Sequence, residues 1–357
     1  MRILVVAGTF APNRVGGGAH VAEQTATGLR DRGHAVYVVT GMPSHAPDDL
    51  LRWDVAGIPV VGIGIPAGQP AQGPAAAHVA SSIERIARTL RPDIIHVHAG
   101  RYLGTAALAE AVSVGPATVV SFDPADPLAP VDLVARADAV VVSGEQAREA
   151  LPNVIPAGRV RVVPNGAAAP GPDWQHRPRP GSLRFGYIGG LADAEGYSVL
   201  VAALQQLGRS DYELHAVDRA TLRGVRSIRE WDFRVPGLLR LVPGYTPTGR
   251  DAFFGGIDAL LSLPQHPGGA GLTVREALQR GVWPIASHLH RNAEVITDTV
   301  NGRLVPMGSA SALAEAIGWA LDHPEALASA PSAAAIPDAA AHAAALDSIY
   351  RELVAGR

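Results

Sequence analysis

Apolar positions in this chain fall into short unbroken runs, separated by stretches in which they return every three or four residues. Ile3–Ala7 is the first run. A glycine-rich loop follows, then Ala22, Ala26 and Leu29 at spacings of four and three, then Gly33, then the run Ala35–Thr40. Unbroken runs suit strands covered on both faces, and the wider spacing suits a helix with one covered face. Gly33 reads as the helix stop. The set predicts a β-loop-α-β unit, the building block of a parallel sheet. Further strands are predicted at Ile94–Val97, Ala117–Phe122, Ala139–Ser143 and Arg159–Val163.

The pattern stops at Ala167–Ser182, where Pro170, Pro172, Pro178 and Pro180 break any period and predict a linker. A second series then begins. Its predicted strands are Phe185–Ile188, Tyr212–Val217, Ile257–Leu263 and Trp283–Ser287, with helices near Tyr197–Leu207, Thr273–Arg280 and Ala310–Leu321. The Ala-rich Ser329–Ala345 is compatible with helix, and Asp338–Val354 puts Leu346, Ile349, Tyr350 and Leu353 on one helical face. The expectation is an α/β protein of two Rossmann-like domains with parallel sheets, facing each other across an interdomain cleft. The first spans 1–168, the linker 169–182 and the second 183–335, with a C-terminal helix at 336–357.

Composition narrows the chemistry. Hydrophobic residues make up 47% and charged residues 18% of the 357, enough for two cores. Net charge is −3, which leaves no basic surplus for nucleic acid or an anionic bilayer. The chain has no cysteine, and all 30 of its Lys and Arg residues are arginine. Thiolate chemistry, Schiff bases, pyridoxal enzymes and the P-loop lysine are thereby excluded. The opening apolar run ends at Gly8, far short of the ~20 residues of a membrane span, so a cytoplasmic protein is expected.

In open parallel sheets, ligands bind beyond the carboxyl ends of the strands. After the first strand stands Arg14, then Gly16, Gly17 and Gly18 just before a helix, where bare amides can approach phosphate. A plain tight turn explains the same glycines. Gly189 and Gly190 follow the first strand of the second series as another site of close backbone approach. The most informative segment is Pro264–Ala277. Gly268, Gly269 and Gly271 precede a helix starting near Leu272 or Thr273, whose first amides and positive dipole end suit a diphosphate. Glu276, one turn in, has the acceptor oxygens for both hydroxyls of a ribose. A carboxylate that merely favours the helix dipole is the competing reading.

The segments together resemble family 4 glycosyltransferases of GT-B fold over nearly the whole chain. Gly16–Gly18 and Leu29–Thr40 resemble the family's opening loop and its L-x-x-R-G-H-x-V-x-V-x-T unit. Arg91–His98 resembles its P-D-V-V-H-x-H strand. Ala137–Ser143, Arg148 and Val162–Gly166 resemble the segments closing its first domain. Ala286–Ser287, Asn292–Ile296 and Asn301–Val305 resemble the end of its donor site. The resemblance implies a nucleotide-sugar donor held mainly by the second domain and a small or specialised-metabolite acceptor held mainly by the first. It implies transfer with retention, no metal, no cofactor besides the donor, and a C-terminal helix that returns to the first domain. Asp123 and Glu276 are then the catalytic candidates, and His98, Arg101 and Asp123 the acceptor-binding ones. Whether the chain forms a homodimer is left open.

Several family positions are changed. Where the family carries G-R-L-x-x-x-K-G, with Arg and Lys on the donor diphosphate, this chain has Gly190 and Glu195. Gly268 replaces the first Glu of the Glu-x7-Glu pair, Asp123 replaces the usual His, and His290-Arg291 replaces two glycines. Losing two charge-assisted contacts at a diphosphate costs roughly 3–6 kcal/mol, or about 10²–10⁴ in affinity. Arg291, helped by His290 or Arg14, is the expected substitute. The alternative is a non-catalytic GT-B module that binds a ligand or partner. His96 and His98 share a strand face and are expected as core or wall histidines, with His98 at the acceptor side.

Overall fold

The computed structural model describes residues 1–357 except 13–15, 44, 47–48, 66–73, 99–102, 112, 114, 124–129, 176–180, 190–192, 218–235, 243–248, 267–270 and 329–335. The described residues divide into two units. One holds Met1–Gly166 with Pro337–Arg357, and the other holds the described residues from Ala167 to Ile336.

In the first unit the strands are β1 (Arg2–Ala7), β2 (Ala35–Pro43), β3 (Leu50–Val55), β4 (Ile58–Ile65), β5 (Ile94–His98), β6 (Ala117–Ser121), β7 (Ala139–Val142) and β8 (Val160–Val162). The helices are α1 (Gly16–Asp31), α2 (Pro74–Leu90), α3 (Gly104–Ala111), α4 (Val131–Val134) and α5 (Glu145–Glu149). The sheet order is β3-β4-β2-β1-β5-β6-β7-β8, parallel except for the β3–β4 pair. β1 is central and buried from Ile3 to Ala7, as an unbroken apolar run requires. The β3–β4 hairpin escaped the sequence pattern. Its strand β3 is an edge with alternating exposure, and it turns at Ala56-Gly57, where the Gly57 amide donates to Asp54 Oδ1 (2.7 Å).

In the second unit the strands are β9 (Leu183–Tyr187), β10 (Tyr212–Val217), β11 (Leu238–Val242), β12 (Ala259–Ser262), β13 (Trp283–Ser287) and β14 (Arg303–Val305). The helices are α6 (Tyr197–Leu207), α7 (Arg250–Gly255), α8 (Leu272–Gln279), α9 (His290–Ala293), α10 (Ala310–Asp322) and α11 (Pro324–Ala328). All neighbours in the order β11-β10-β9-β12-β13-β14 run parallel. β11 and β14 were missed because both are short edge strands with half-exposed side chains. The stretch read as a linker begins docked on this unit. Ala167 is buried beside Val274 and Leu278, the Gly171 amide donates to Asp251, and the Trp174 indole donates to the Arg280 carbonyl (3.3 Å).

The last helix, α12 (Ala339–Ala355), is capped by Asp338, whose Oδ1 accepts from the Ala341 amide (2.7 Å). It belongs to the first unit, where Leu346, Ile349 and Tyr350 join Ala22, Ala26 and Leu29 of α1 in one core. A Cβ on Gly28 would stand 2.5 Å from that of Ala343, so the two helices meet at backbone distance.

In the second unit, the Arg184 Nε and Nη2 donate to both carboxylate oxygens of Asp258 (2.9 and 2.5 Å), and both side chains are buried. This fork ties the start of β9 to the start of β12. Arg184→Met strands the buried Asp258 charge and should lower the unfolding free energy of the second unit by about 3–5 kcal/mol, read by denaturant titration. A loss below about 1 kcal/mol, the ordinary value of an exposed pair, contradicts this assignment.

Candidate functional site

In the second unit the candidate residues gather at the carboxyl ends of three neighbouring strands, β9, β12 and β13. Beyond β12, Gly271 takes φ 61°, ψ 20°, a left-handed conformation that favours glycine, and is the N-cap of α8. Gly271 has no side chain with which to cap this helix. The N–H groups of its first turn have no partners within the helix and carry its positive dipole end.

The segment after β13 is bound down onto this start. Asn292 Nδ2 donates to the Ser287 carbonyl (2.8 Å), and Glu294 Oε2 accepts from Arg275 Nη2 (3.0 Å) on α8. The aliphatic stem of Arg291 therefore lies on Gly271: a Cβ there would meet Arg291 Cδ at 3.2 Å and Cγ at 3.3 Å. Arg291 is half-buried, and His290 beside it is exposed. Arg275 is buried and occupied with Glu294; burial draws its guanidinium pKa below the ordinary value although Glu294 opposes this.

Glu276 lies one turn into α8 and is almost wholly buried. Its Oε1 forms an ion pair with Arg250 Nε of α7 at 3.1 Å. Its main-chain carbonyl accepts from Arg280 Nη1 (3.1 Å), and Arg280 in turn donates to Asp251 and to the carbonyls of Ala168 and Ala169. Arg250 was not singled out in the sequence. No local motif marks it, since its relation to Glu276 arises only when α7 packs against α8.

The turn after β9 has a packing reason for its first glycine. The position a Cβ of Gly189 would take is filled by the Tyr187 hydroxyl and Glu195 Cβ, and the Tyr187 hydroxyl donates to the Glu195 carbonyl (3.1 Å). Packing by itself is a reason for a glycine here. Asp193 and Glu195 follow in a short turn, so the described part of this loop carries carboxylates where the related family carries its cations.

In the first unit, His98 ends β5 and Asp123 follows β6 by two residues; the strands are adjacent, with His98 opposite Ser121. Gly16, Gly17 and Gly18 follow β1, the other neighbour of β5. They form the first turn of α1 itself, where a loop before the helix was expected: glycine amides serve equally as helix donors once the chain winds. Around Gly18 nothing stands within 4 Å of an added Cβ. Asp123 is half-buried. Arg14, Arg101, Gly190, Gly268 and Gly269 lie outside the described residues.

The rings of His96 and His98 stack at 4.4 Å. His96 pairs its Nδ1 with the Tyr350 hydroxyl and its Nε2 with Ser121 Oγ (2.8 Å). His342, on α12, bonds Thr25 Oγ1 and the Pro164 carbonyl. His98 is buried, and its Nε2 has no hydrogen-bond partner among the described residues. Burial, aided by His342, takes its pKa down to about 3, and burial lowers His96 and His342 as well. Among the described residues no group of three or more His, Asp or Glu side chains is arranged to hold a metal ion, and no described helix is long and apolar enough to cross a membrane.

Residues 15–168 match the model of Glycosyltransferase Family 4, and residues 240–335 match that of Glycosyl transferases group 1. No curated protein sequence matches. Among solved structures, sucrose-phosphate synthase from Thermosynechococcus elongatus superposes with a TM-score of 0.77 at 17% identity, covering 100% of both chains. Anabaena Alr3699/HepE in complex with UDP gives 0.71 at 18% identity, covering 99% of this chain and 100% of its own. A glycosyltransferase from Rickettsia africae gives 0.70 at 16%, covering 100% and 99%. At these identities the likeness is one of fold.

The buried histidines set an acid limit on the first unit. An unfolded histidine takes its proton near pH 6.5, and folded His98 takes one only near pH 3. The unfolded state therefore binds more protons between these values, and stability falls as pH drops through that window. His98→Asn should make the plot of unfolding free energy against pH shallower between pH 4 and 6, by up to about 1.4 kcal/mol per pH unit. An unchanged slope contradicts the assignment of a buried neutral imidazole.

Proposed function

Since the chain belongs to the family 4-like glycosyltransferases of GT-B fold, we propose that it transfers a sugar from a nucleotide-sugar donor to a small or specialised-metabolite acceptor, with retention of configuration and without a metal. The donor belongs to the second unit and the acceptor to the first. The observation that carries the reading is the start of α8: an uncapped, left-handed glycine start with an arginine laid over it and a buried carboxylate one turn in. A diphosphate matches the first part, being an anion with several acceptor oxygens. A ribose diol matches the second, offering two donors to an ionised carboxylate. Solved structures of the same fold hold UDP and UDP-glucose in Alr3699/HepE and ADP in starch synthase IV from Arabidopsis thaliana.

Each group has a role in this reading. The amides of Leu272 and Thr273 take phosphate oxygens, and Arg291 supplies the positive charge that family members draw from the Arg and Lys absent at Gly190 and Glu195. His290 is exposed beside Arg291. Glu276 binds the ribose. In the first unit, Asp123 and His98 engage an acceptor hydroxyl or amino group. A neutral His98 can accept a hydrogen bond from a hydroxyl or donate one to its oxygen, depending on tautomer. The departing phosphate serves as base in retaining transfer, so Asp123 binds the acceptor without having to remove its proton. The bond from the anomeric carbon to the phosphate oxygen breaks, the bond to the acceptor oxygen or nitrogen forms on the same face, and the acceptor proton passes to the released nucleotide.

Calorimetric titration with UDP, GDP, ADP, CMP and dTDP tests this. At least one should bind, and Arg291→Ala should weaken that nucleotide by about 10–100-fold, the value of one charge-assisted contact. A protein that binds none, or an Arg291→Ala variant with unchanged affinity, contradicts the assignment of the donor phosphates to the start of α8.

A further inference from the structure

We infer that Arg250 is a positioning residue for the donor: it holds Glu276 ionised and turned so that its carboxylate receives the ribose diol. The inference rests on the reading of Glu276 given above and adds a residue to it.

Glu276 is a buried acid, with 2% of its side chain exposed. A carboxylate at that depth keeps its charge only if a cation or strong donors meet it. Arg250, itself 12% exposed, meets Oε1 at 3.1 Å. The other arginines near it on α8 have different partners. Arg275 bonds Glu294. Arg280 bonds Asp251, the carbonyls of Ala168 and Ala169, and the main chain of Glu276. Arg250 is a cation set on the carboxylate itself.

Two consecutive residues of α7 reach α8. Arg250 meets the side chain of Glu276, and Asp251 takes Arg280 through Nε and Nη2 (2.8 and 2.6 Å). Asp251 also accepts from the Gly171 amide (2.9 Å). α7 therefore has little freedom to slide along α8, which keeps the guanidinium of Arg250 beside the carboxylate. Glu276 is hydrogen-bonded at its main chain by Arg280, and its carboxylate stands in an ion pair with Arg250 Nε. A flexible glutamate would lose rotamer freedom on binding a diol; one already held loses less. The pair is also neutral as a whole, which leaves the attraction for phosphate to the helix start and Arg291.

The effect on binding is therefore selective. Arg250 should matter for ligands with a 2′,3′-diol and matter little for those without one. A purely structural arginine would weaken both alike.

The test compares UDP, GDP and ADP with their 2′,3′-dideoxy counterparts by calorimetry, on the full chain and on Arg250→Met and Arg250→Lys. The unaltered protein should prefer the diol of the nucleotide it binds by about 10–100-fold, as hydrogen bonds to a charged group allow. Arg250→Met should reduce that preference to within about threefold, largely by loss of diol affinity, and Arg250→Lys should retain part of it, because ammonium keeps the charge without the planar fork. Thermal unfolding checks that each variant is folded. If Arg250→Met is not, the partial loss in Arg250→Lys decides. Equal weakening of both ligand types, or an undiminished preference, overturns the inference and leaves the donor reading standing. Failure of the unaltered protein to bind any of these six overturns the inference; failure to bind CMP and dTDP as well overturns the donor reading with it.

Discussion

The proposed donor site depends on where one short helix begins. β12 is covered on both faces and delivers the chain to the carboxyl edge of its sheet, and α8 winds away from Gly271, which has no side chain to close its first turn. A glycine is needed because the φ of 61° is costly for other residues. The helix direction then points its partial positive charge and its bare amides to that edge. Glu276 follows from the same start, since one turn of helix sets its height beneath Gly271. Arg291 follows from the binding of the next segment to α8 through Glu294 and Arg275. Had the helix begun two residues later, the carboxylate and the amides would no longer share an edge.

A second constraint is the absence of lysine. Every cation is a planar fork, which suits it to fixed multi-point ties more than to a mobile point charge. The second unit uses its arginines that way. Arg184 holds Asp258, Arg280 holds Asp251 and three main-chain carbonyls, and Arg275 holds Glu294. Buried forks of this kind are costly to break, so they fix geometry more than they add stability. The loop after β9 has meanwhile acquired Asp193 and Glu195. In the proposed reading, the donor edge takes its positive charge from the segment after β13 and the start of α8, where the β9 loop carries carboxylates.

Much of the fold was legible. The apolar run Trp283–Ser287 marked its strand with the observed ends, because a strand buried along its length has little polar character to blur it; Tyr212–Val217 was also found with the observed ends, although Glu213 and His215 alternate along it half-buried. The edges were not legible. β3, β11 and β14 alternate or half-expose their side chains, and a short run of that kind looks like loop. The site was legible where one segment contains it: Gly271, Leu272, Thr273 and Glu276 are near neighbours in the chain. Arg291 was reached through its place in a known order of motifs. Arg250 was not reached, since 26 residues separate it from Glu276 and only packing joins them. Gly189 shows a glycine that suggested a ligand and that packing against the Tyr187 ring also requires.

The most direct test of the account is a crystal structure of the protein grown with the nucleoside diphosphate it binds. The account predicts phosphate oxygens within hydrogen-bond reach, about 2.7–3.2 Å, of the Leu272 and Thr273 amides, with the Arg291 guanidinium on the same phosphates. Phosphates bound away from the start of α8, or seated there with Arg291 turned to other partners, would contradict it.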